Sequence, residues 1–472
     1  MPLRIVDAKV SQQLSVLKAK IYDLQMTKNQ LLDALSRVQQ QQSEAKAEYA
    51  HLSNPSAQIF ALPNEVMVEI FSHLRDGWHN GLPNLVHATH VMRKWRTLAL
   101  SIPTLWSTIE LRPADIAISH TDIVREYLKR SGTSLLDVFV SIGPGEDPHP
   151  VLNILLPHIG RWKRLVVESE DEPALHAFIK ALQDLAAPCL ECLQIDLEID
   201  DEQNQDLWNE DNRTLSAGVP VLAYLELRGV NMQRYLPPLQ GVKSLNMADC
   251  YSATLLTYAQ FKEILLASTS LTHLELEGMV NCSPEDDLSL IEMPSLVSLT
   301  VLPPDYVNPL EYMHNIFTAI SAPALRTLCL RKVYGLQFRT FLQAFREAAW
   351  HPVLQTLRLE SVTGLEHLSP TFALSSPTIT HLSLKFTDAK PILKLMSNGD
   401  DLLWPCLDTL TLGAEHDGLL RAVITQRSLA GHPLMRIRIA TESHSAFEKL
   451  PSDRMNWLKE RVKVDSILFH DM

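Results

Sequence analysis

Ten times between Leu190 and Ile439 the chain repeats the pattern L-x-x-L-x-L, with aliphatic substitutes for some of the leucines. The segments are Leu190/Leu193/Ile195, Leu222/Leu225/Leu227, Val242/Leu245/Met247, Leu271/Leu274/Leu276 and Leu296/Leu299/Val301. They continue with Leu325/Leu328/Leu330, Leu354/Leu357/Leu359, Ile379/Leu382/Leu384, Leu407/Leu410/Leu412 and Leu434/Ile437/Ile439. Successive starts lie 20 to 32 residues apart. The last two apolar positions of each segment alternate with other residues, the two-residue period of a strand with one buried face. A period of this length holds one strand and one return segment, and so small a unit cannot bury its apolar face alone. Neighbouring repeats must therefore stack. Proline stands two residues before the first apolar position in seven of the ten, at Pro188, Pro220, Pro294, Pro323, Pro352, Pro377 and Pro405. It cannot donate to a ladder, so it marks where a strand begins. Between strands, residues 174–185, 255–267, 310–320 and 338–349 read as helices that pack the opposite side.

The period and pattern resemble those of leucine-rich repeats, which implies an α/β solenoid with strands on the concave side and helices on the convex side, over residues 168–472. The asparagine usual three positions after the last leucine is absent. In its place stand Glu198, Val230, Cys250, Met279, Pro304, Val333, Val362, Thr387, Glu415 and Glu442. A buried asparagine side chain satisfies turn N–H groups, so other groups must do so here, and irregular curvature is expected. Alternation turns Gln194, Asp196, Tyr224, Glu226, Arg228, His273, Glu275 and Glu277 outward in the early repeats. In the late repeats it turns out Arg331, Arg358, Glu360, Lys385, Arg436 and Arg438. The face runs from mainly acidic to mainly basic, either as a solvated surface or as a recognition surface that orients a dipolar partner. The candidate target-binding residues are Glu226, Glu275, Glu277, Arg331, Arg358, Lys385, Arg436 and Arg438.

Residues 59–106 have a different character. Pro63 suits a first helical turn, and Val66, Ile70 and Leu74 then fall four apart on one face, flanked by Phe71. Leu82, Leu85, Val86 and Val91 lead into Trp95, Leu98 and Ala99. Three short helices here carry more large apolar side chains than they can hide, which points to a partner that covers the surplus. Leu62-Pro63-x-Glu65, Ile70-Phe71, Leu74, Val91, Arg93-x-Trp95-Arg96 and Leu105-Trp106 resemble the F-box, the adaptor-docking module of cullin-based ubiquitin ligases. Met92 stands where the family usually has cysteine, and the loop 75–81, with Trp78 and Gly81, is longer than the family's. The resemblance implies that Leu62, Pro63, Ile70, Leu74, Val91 and Trp95 dock a Skp1-like adaptor and, through it, a cullin.

Ahead of this module, residues 7–52 carry Val10, Leu14, Leu17, Ile21, Leu24, Lys28, Leu31, Leu35 and Val38 at alternating spacings of four and three, with no proline or glycine. With Leu14 at position a, Lys28 also falls at a. Two readings stand: an amphipathic helix folded onto its own protein, or a coiled coil through residues 10–38, self-paired or with another chain. Residues 53–56 link it to the next module. Residues 107–167 read as a bridge, with a helix over 122–130, a strand over 135–140 and a loop at 143–148. Lys129-Arg130-Ser131-Gly132 and Arg161-Trp162-Lys163-Arg164-Leu165 resemble the segment that follows the F-box in many fungal F-box proteins.

Composition narrows the function. In 472 residues, 46% hydrophobic and 21% charged content are those of a folded protein of more than one unit. A formal net charge of −13 argues against nucleic acid as a partner. No apolar run is long enough for a membrane span and no secretory leader is recognisable, and six scattered cysteines suit a reducing compartment, cytoplasmic or nuclear. The glycines at 143–145 lack the lysine of a phosphate loop. Cys189-x-x-Cys192 falls on the first repeat with no second pair, so packing rather than zinc is expected. No catalytic or cofactor motif is present, and no metal is expected. The expected function is the substrate-recognition subunit of an SCF-type E3 ligase, not itself an enzyme, with an unidentified protein target. The alternatives are a non-degradative scaffold that holds the adaptor without a cullin, and a hydrolase with a novel site among the repeats.

Overall fold

Each of the ten repeat segments forms a strand, and the strands join in chain order into one parallel sheet. The computed structural model describes residues 8–53, 59, 62–74, 78–79, 82–112, 118–198, 213–230, 232–248, 256–278, 280–281, 289–304, 309–347, 353–398, 402–413, 417–441 and 452–468. The sheet has fourteen strands. They are β1 (Thr108–Leu111), β2 (Leu136–Ile142), β3 (Trp162–Ser169), β4 (Cys192–Leu197), β5 (Tyr224–Arg228), β6 (Ser244–Ala248) and β7 (His273–Glu277). The rest are β8 (Ser298–Leu302), β9 (Thr327–Arg331), β10 (Thr356–Glu360), β11 (His381–Lys385), β12 (Thr409–Gly413), β13 (Arg436–Thr441) and β14 (Lys463–Leu468).

The register explains why the strands pair as they do. Ile109, Val138, Leu165, Leu193, Leu225, Leu245, Leu274, Leu299, Leu328, Leu357, Leu382, Leu410 and Ile437 stand side by side across the sheet, each at most 2% exposed. Slipping any strand by one residue would turn this aliphatic row out and a polar one in. The row weakens only at β14, where Val464 is half-buried and Ser466 takes an aliphatic place beside Ile439.

Two sequence expectations change here. Residues 107–167 are not a bridge, because they supply β1 to β3 of the same sheet. Ile109/Leu111, Val138/Val140 and Leu165/Val167 alternate as strands do, and the leading position three residues earlier holds Trp106, Leu135 and Trp162. The chain divides into units 1–101 and 102–472, so Leu105 and Trp106 belong with the sheet and not with the helices expected to end at 106. Trp106 is fully buried, edge-on to Tyr127 at 5.0 Å, with the Arg130 guanidinium 4.4 Å from its ring centre.

Return segments are helical where expected, over Glu172–Lys180, Tyr258–Ala267, Pro309–Ala319 and Gly335–Glu347, and also over Lys390–Asn398 and Asp417–Leu429, with shorter helices at Met232–Tyr235, Pro370–Ser375 and Ser452–Lys459. Asp171 and Thr257 cap the first two, Thr257 in a reciprocal capping box with Gln260. Phe317, Phe338, Phe341, Phe345 and Phe372 bind neighbouring repeats through ring contacts of 4.8 to 6.0 Å. The fully buried Arg427 donates to the carbonyls of Leu403, Trp404 and Leu407 at 2.9 to 3.1 Å, fastening the turn that precedes β12.

The work of the missing asparagine is divided. Val230, Val333 and Val362 fill its place as buried aliphatics. The residue just after a strand turns left-handed, at Gly229, Gly278, Lys332 and Ser361, and donates its N–H to the next strand at 2.8 to 3.0 Å. Thr387 takes the place of the asparagine side chain, donating to the Leu359 carbonyl at 3.0 Å and accepting from the Val362 N–H at 3.1 Å. Cys250, Met279, Glu415 and Glu442 lie outside the described residues, as does the insert 200–211.

The other unit holds α1 (Ala8–Ser53), a single helix of 46 residues, and α2 (Asn64–His73), α3 (Asn84–Val91) and α4 (Arg93–Leu100). Of the loop 75–81, only Trp78–His79 is described, as a two-residue strand paired with Leu82–Pro83. No described helix is long and apolar enough to cross a membrane.

Candidate functional site

Proline at position 63, extended at φ −56° and ψ 154°, leads directly into α2. Met67 and Phe71 are the residues of α2 that are fully buried, one turn apart. Leu85, Ala88 and Thr89 of α3 and Ala99 of α4 are buried as well. Trp95 meets Phe71 edge-on, ring centres 5.8 Å apart, and is itself only half-buried. The stripe read from sequence is therefore rotated by one residue. Val66, which shares a face with Ile70 and Leu74 by spacing, is 43% exposed, whereas Ile70, Leu74 and Leu62 are half-buried. Pro63, Val91 and Leu100 are exposed, and so is Ile59. Of the six expected docking residues, Pro63 and Val91 are open to solvent and Leu62, Ile70, Leu74 and Trp95 partly so. Val66, Leu100 and Ile59 join them. The four-residue spacing groups Val66 with Ile70 and Leu74 on one face but does not say which face is buried, and only the burial of Met67 shows where the core lies.

A family model for the F-box-like domain matches residues 59–112. The match covers the helical module and runs on through β1 of the sheet. No curated protein matches the chain. The F-box-like domain implies a role in protein–protein interaction and a Skp1-like partner.

The second surface is the outward side of β4 to β14. All eight charged residues expected there are on strands and face away from the aliphatic row, but most are engaged with neighbouring side chains. Glu226 accepts from Gln194 at 2.6 Å, from the Tyr224 hydroxyl at 2.7 Å and from Asn246 at 3.2 Å. Arg228 lies between Asp196 at 3.6 Å, Glu226 at 3.6 Å and Glu277 at 3.4 Å. Arg331 bridges Glu275 and Glu360, the latter at 3.1 Å, and Arg358 shares Glu360 at 3.3 Å. Arg436 pairs with Asp465 at 3.3 Å. Lys385 lies over the Phe386 ring at 5.6 Å. Arg438 has no ion-pair partner among the described residues. Sequence alone could list these side chains but not their pairing, which needs the register that brings β5 against β7 across β6.

Electrostatics follow from this packing. Burial pushes the Asp196 carboxyl up to about 6, against the attraction of Arg228. Burial, then Arg438 and Arg358, hold His381 down at about 4, so it is neutral at pH 7 and its ring meets the Thr411 hydroxyl at 2.8 Å. Burial raises the thiols of Cys192 and Cys329, the latter to about 12, so neither is a ready nucleophile. Among the described residues, no group of three or more His, Cys, Asp or Glu side chains could hold a metal ion. What this surface can do is present fixed, paired charges and hydrogen-bonding groups to a protein.

Proposed function

We propose that the chain is the substrate-recognition subunit of an SCF-type E3 ubiquitin ligase, active in the cytoplasm or nucleus. The F-box-like module docks a Skp1-like adaptor, and a leucine-rich-repeat solenoid, with the polar strand side concave, holds a target protein. The chain performs no chemistry itself and acts by raising the effective concentration of target lysines near a charged ubiquitin carrier. The observation that carries this reading is the exposure of Pro63, Val66, Val91 and Leu100 on a module matched as F-box-like, whose core is already complete in Met67, Phe71 and Leu85. Apolar side chains left over once a small core is filled are what a partner covers.

The test is a binding titration of the purified chain with a Skp1-like adaptor. Pro63→Asp with Val91→Asp touches only exposed positions, so the helices should survive, checked by circular dichroism. Affinity should fall at least about 30-fold, the loss of about 2 kcal/mol typical of a contact hot spot. A folded double variant that binds as well as the unaltered chain refutes docking through this face. Recovery of adaptor without cullin from cells would replace the ligase with the scaffold reading.

A further inference from the structure

Seven apolar side chains of α1, namely Leu14, Leu17, Ile21, Leu24, Leu31, Leu35 and Val38, are each at least 51% exposed in the single chain. With Lys28 they form an unbroken row at spacings of three and four. Such a stripe on a long helix needs cover in water. The row also has an internal symmetry. Taken from its two ends inward it matches Leu14 with Val38, Leu17 with Leu35, Ile21 with Leu31 and Leu24 with Lys28, always an a position with a d position, about a centre at Met26.

Two copies of α1 laid antiparallel therefore meet in eight layers without a gap. A parallel, in-register pair makes the same eight layers and adds Val10 against Val10, where the antiparallel pair sets Val10 against Gln42, so apolar cover does not favour the antiparallel pair. Charge does. Parallel pairing sets Lys28 against Lys28 and lays the basic stretch with Lys9, Lys18, Lys20 and Asp23 along its own copy. Antiparallel pairing sets each Lys28 against Leu24, leaving its ammonium free to reach water. It lays the basic stretch along residues 27–44, where Lys28 and Arg37 balance Asp33 and Glu44. The flanking positions then bring Lys18 to Leu32 and Lys20 to Ala34, so no like charges meet. Leu32, 52% exposed and outside the a/d row, gains cover from the aliphatic stem of Lys18. Opposed helix dipoles favour the same arrangement.

We propose that α1 joins a second copy of this chain as an antiparallel two-stranded coiled coil centred on Met26. At 1.5 Å per residue the two Ser53 ends then lie about 80 Å apart along the coil, so the dimer holds its two docking modules away from each other.

The full-length chain tests this. Sedimentation at micromolar concentration should give a dimer, and Leu24→Asp with Leu31→Asp a monomer whose sheet is intact by circular dichroism. An amine cross-linker with a spacer of about 11 Å, applied to the unaltered chain, should join Lys9 to Lys46. Within one helix those residues are about 55 Å apart, beyond its reach, so the link must run between copies. Leu14→Cys with Val38→Cys, equilibrated in a thiol–disulfide buffer and digested, should give 14–38 links. A monomeric unaltered chain overturns the proposal, as do Lys9–Lys9 links or 14–14 and 38–38 disulfides, which belong to the parallel pair.

Discussion

Asp196 shows how a single side chain can work against the fold that holds it. Its Oδ1 is buried with no hydrogen-bond partner, and Arg228 at 3.6 Å does not offset that burial. The carboxyl reaches about 6 in the folded chain, above the roughly 3.9 of an unfolded one. The folded state therefore holds the proton more tightly. The stability this gives is complete below about pH 4 and is lost as pH rises through about 6. Asp196→Asn should raise stability at pH 7.5 by an amount on the order of 1 kcal/mol, since the side chain is partly solvated, and change little at pH 4.5. Urea melts at both pH values check this, and an equal gain at both would mean that ionisation is not the cause. His381 works in the opposite sense: its stability is present above about pH 6.5 and is lost as pH falls toward 4. Comparing variant with unaltered chain at each pH removes it. Neither shift was legible in the sequence, where Asp196 and His381 read only as polar positions between leucines. Their titration depends first on how far packing buries them and then on which arginines the register brings close.

At the scale of elements, the ten repeat strands and four of the return helices were legible because a two-residue alternation and a proline stop recur at nearly constant spacing. The strand of β2 was read as well, over 135–140, but β1 and β3 were not, because Trp106 and Trp162 take the place of the leading leucine, and pairing within the sheet is what defines them. The left-handed residues that follow the strands were equally hidden, since Lys332 and Ser361 carry no preference for that conformation. On the docking module the order of helices was legible but the rotation of α2 was not. The placement of β1 bears on where the chain can be cut. A fragment beginning at Ile102 should fold, with Trp106 under Tyr127 and Arg130. A fragment beginning at residue 113, the end of the F-box-like match, loses both Trp106 and the partner strand of β2. Loss of a buried tryptophan alone costs about 3–5 kcal/mol, so its urea midpoint should drop sharply. Equal midpoints for the two fragments would show that β1 adds nothing to the sheet.

The sheet as a whole is an array in which each strand hydrogen-bonds only to the strands before and after it. Stability is then a sum of repeat and neighbour contributions, and a break in the middle separates two arrays that can each persist. Leu299→Ala in β8, at a position fully buried between Leu274 and Leu328, should cost about 2–5 kcal/mol and split urea unfolding into two phases. The same loss at Val464, on the half-buried last strand, should leave a single transition. One transition in both would mean that the array melts as a block. The chain-order stacking also makes the sheet a graduated scale. Thirteen intervals of about 4.8 Å give it a length of roughly 60 Å measured along the sheet, and each division corresponds to one strand and its return segment. Gain or loss of a single repeat would move everything beyond it by one division and leave the other divisions unaltered, so the span over which a target is held can change in fixed increments.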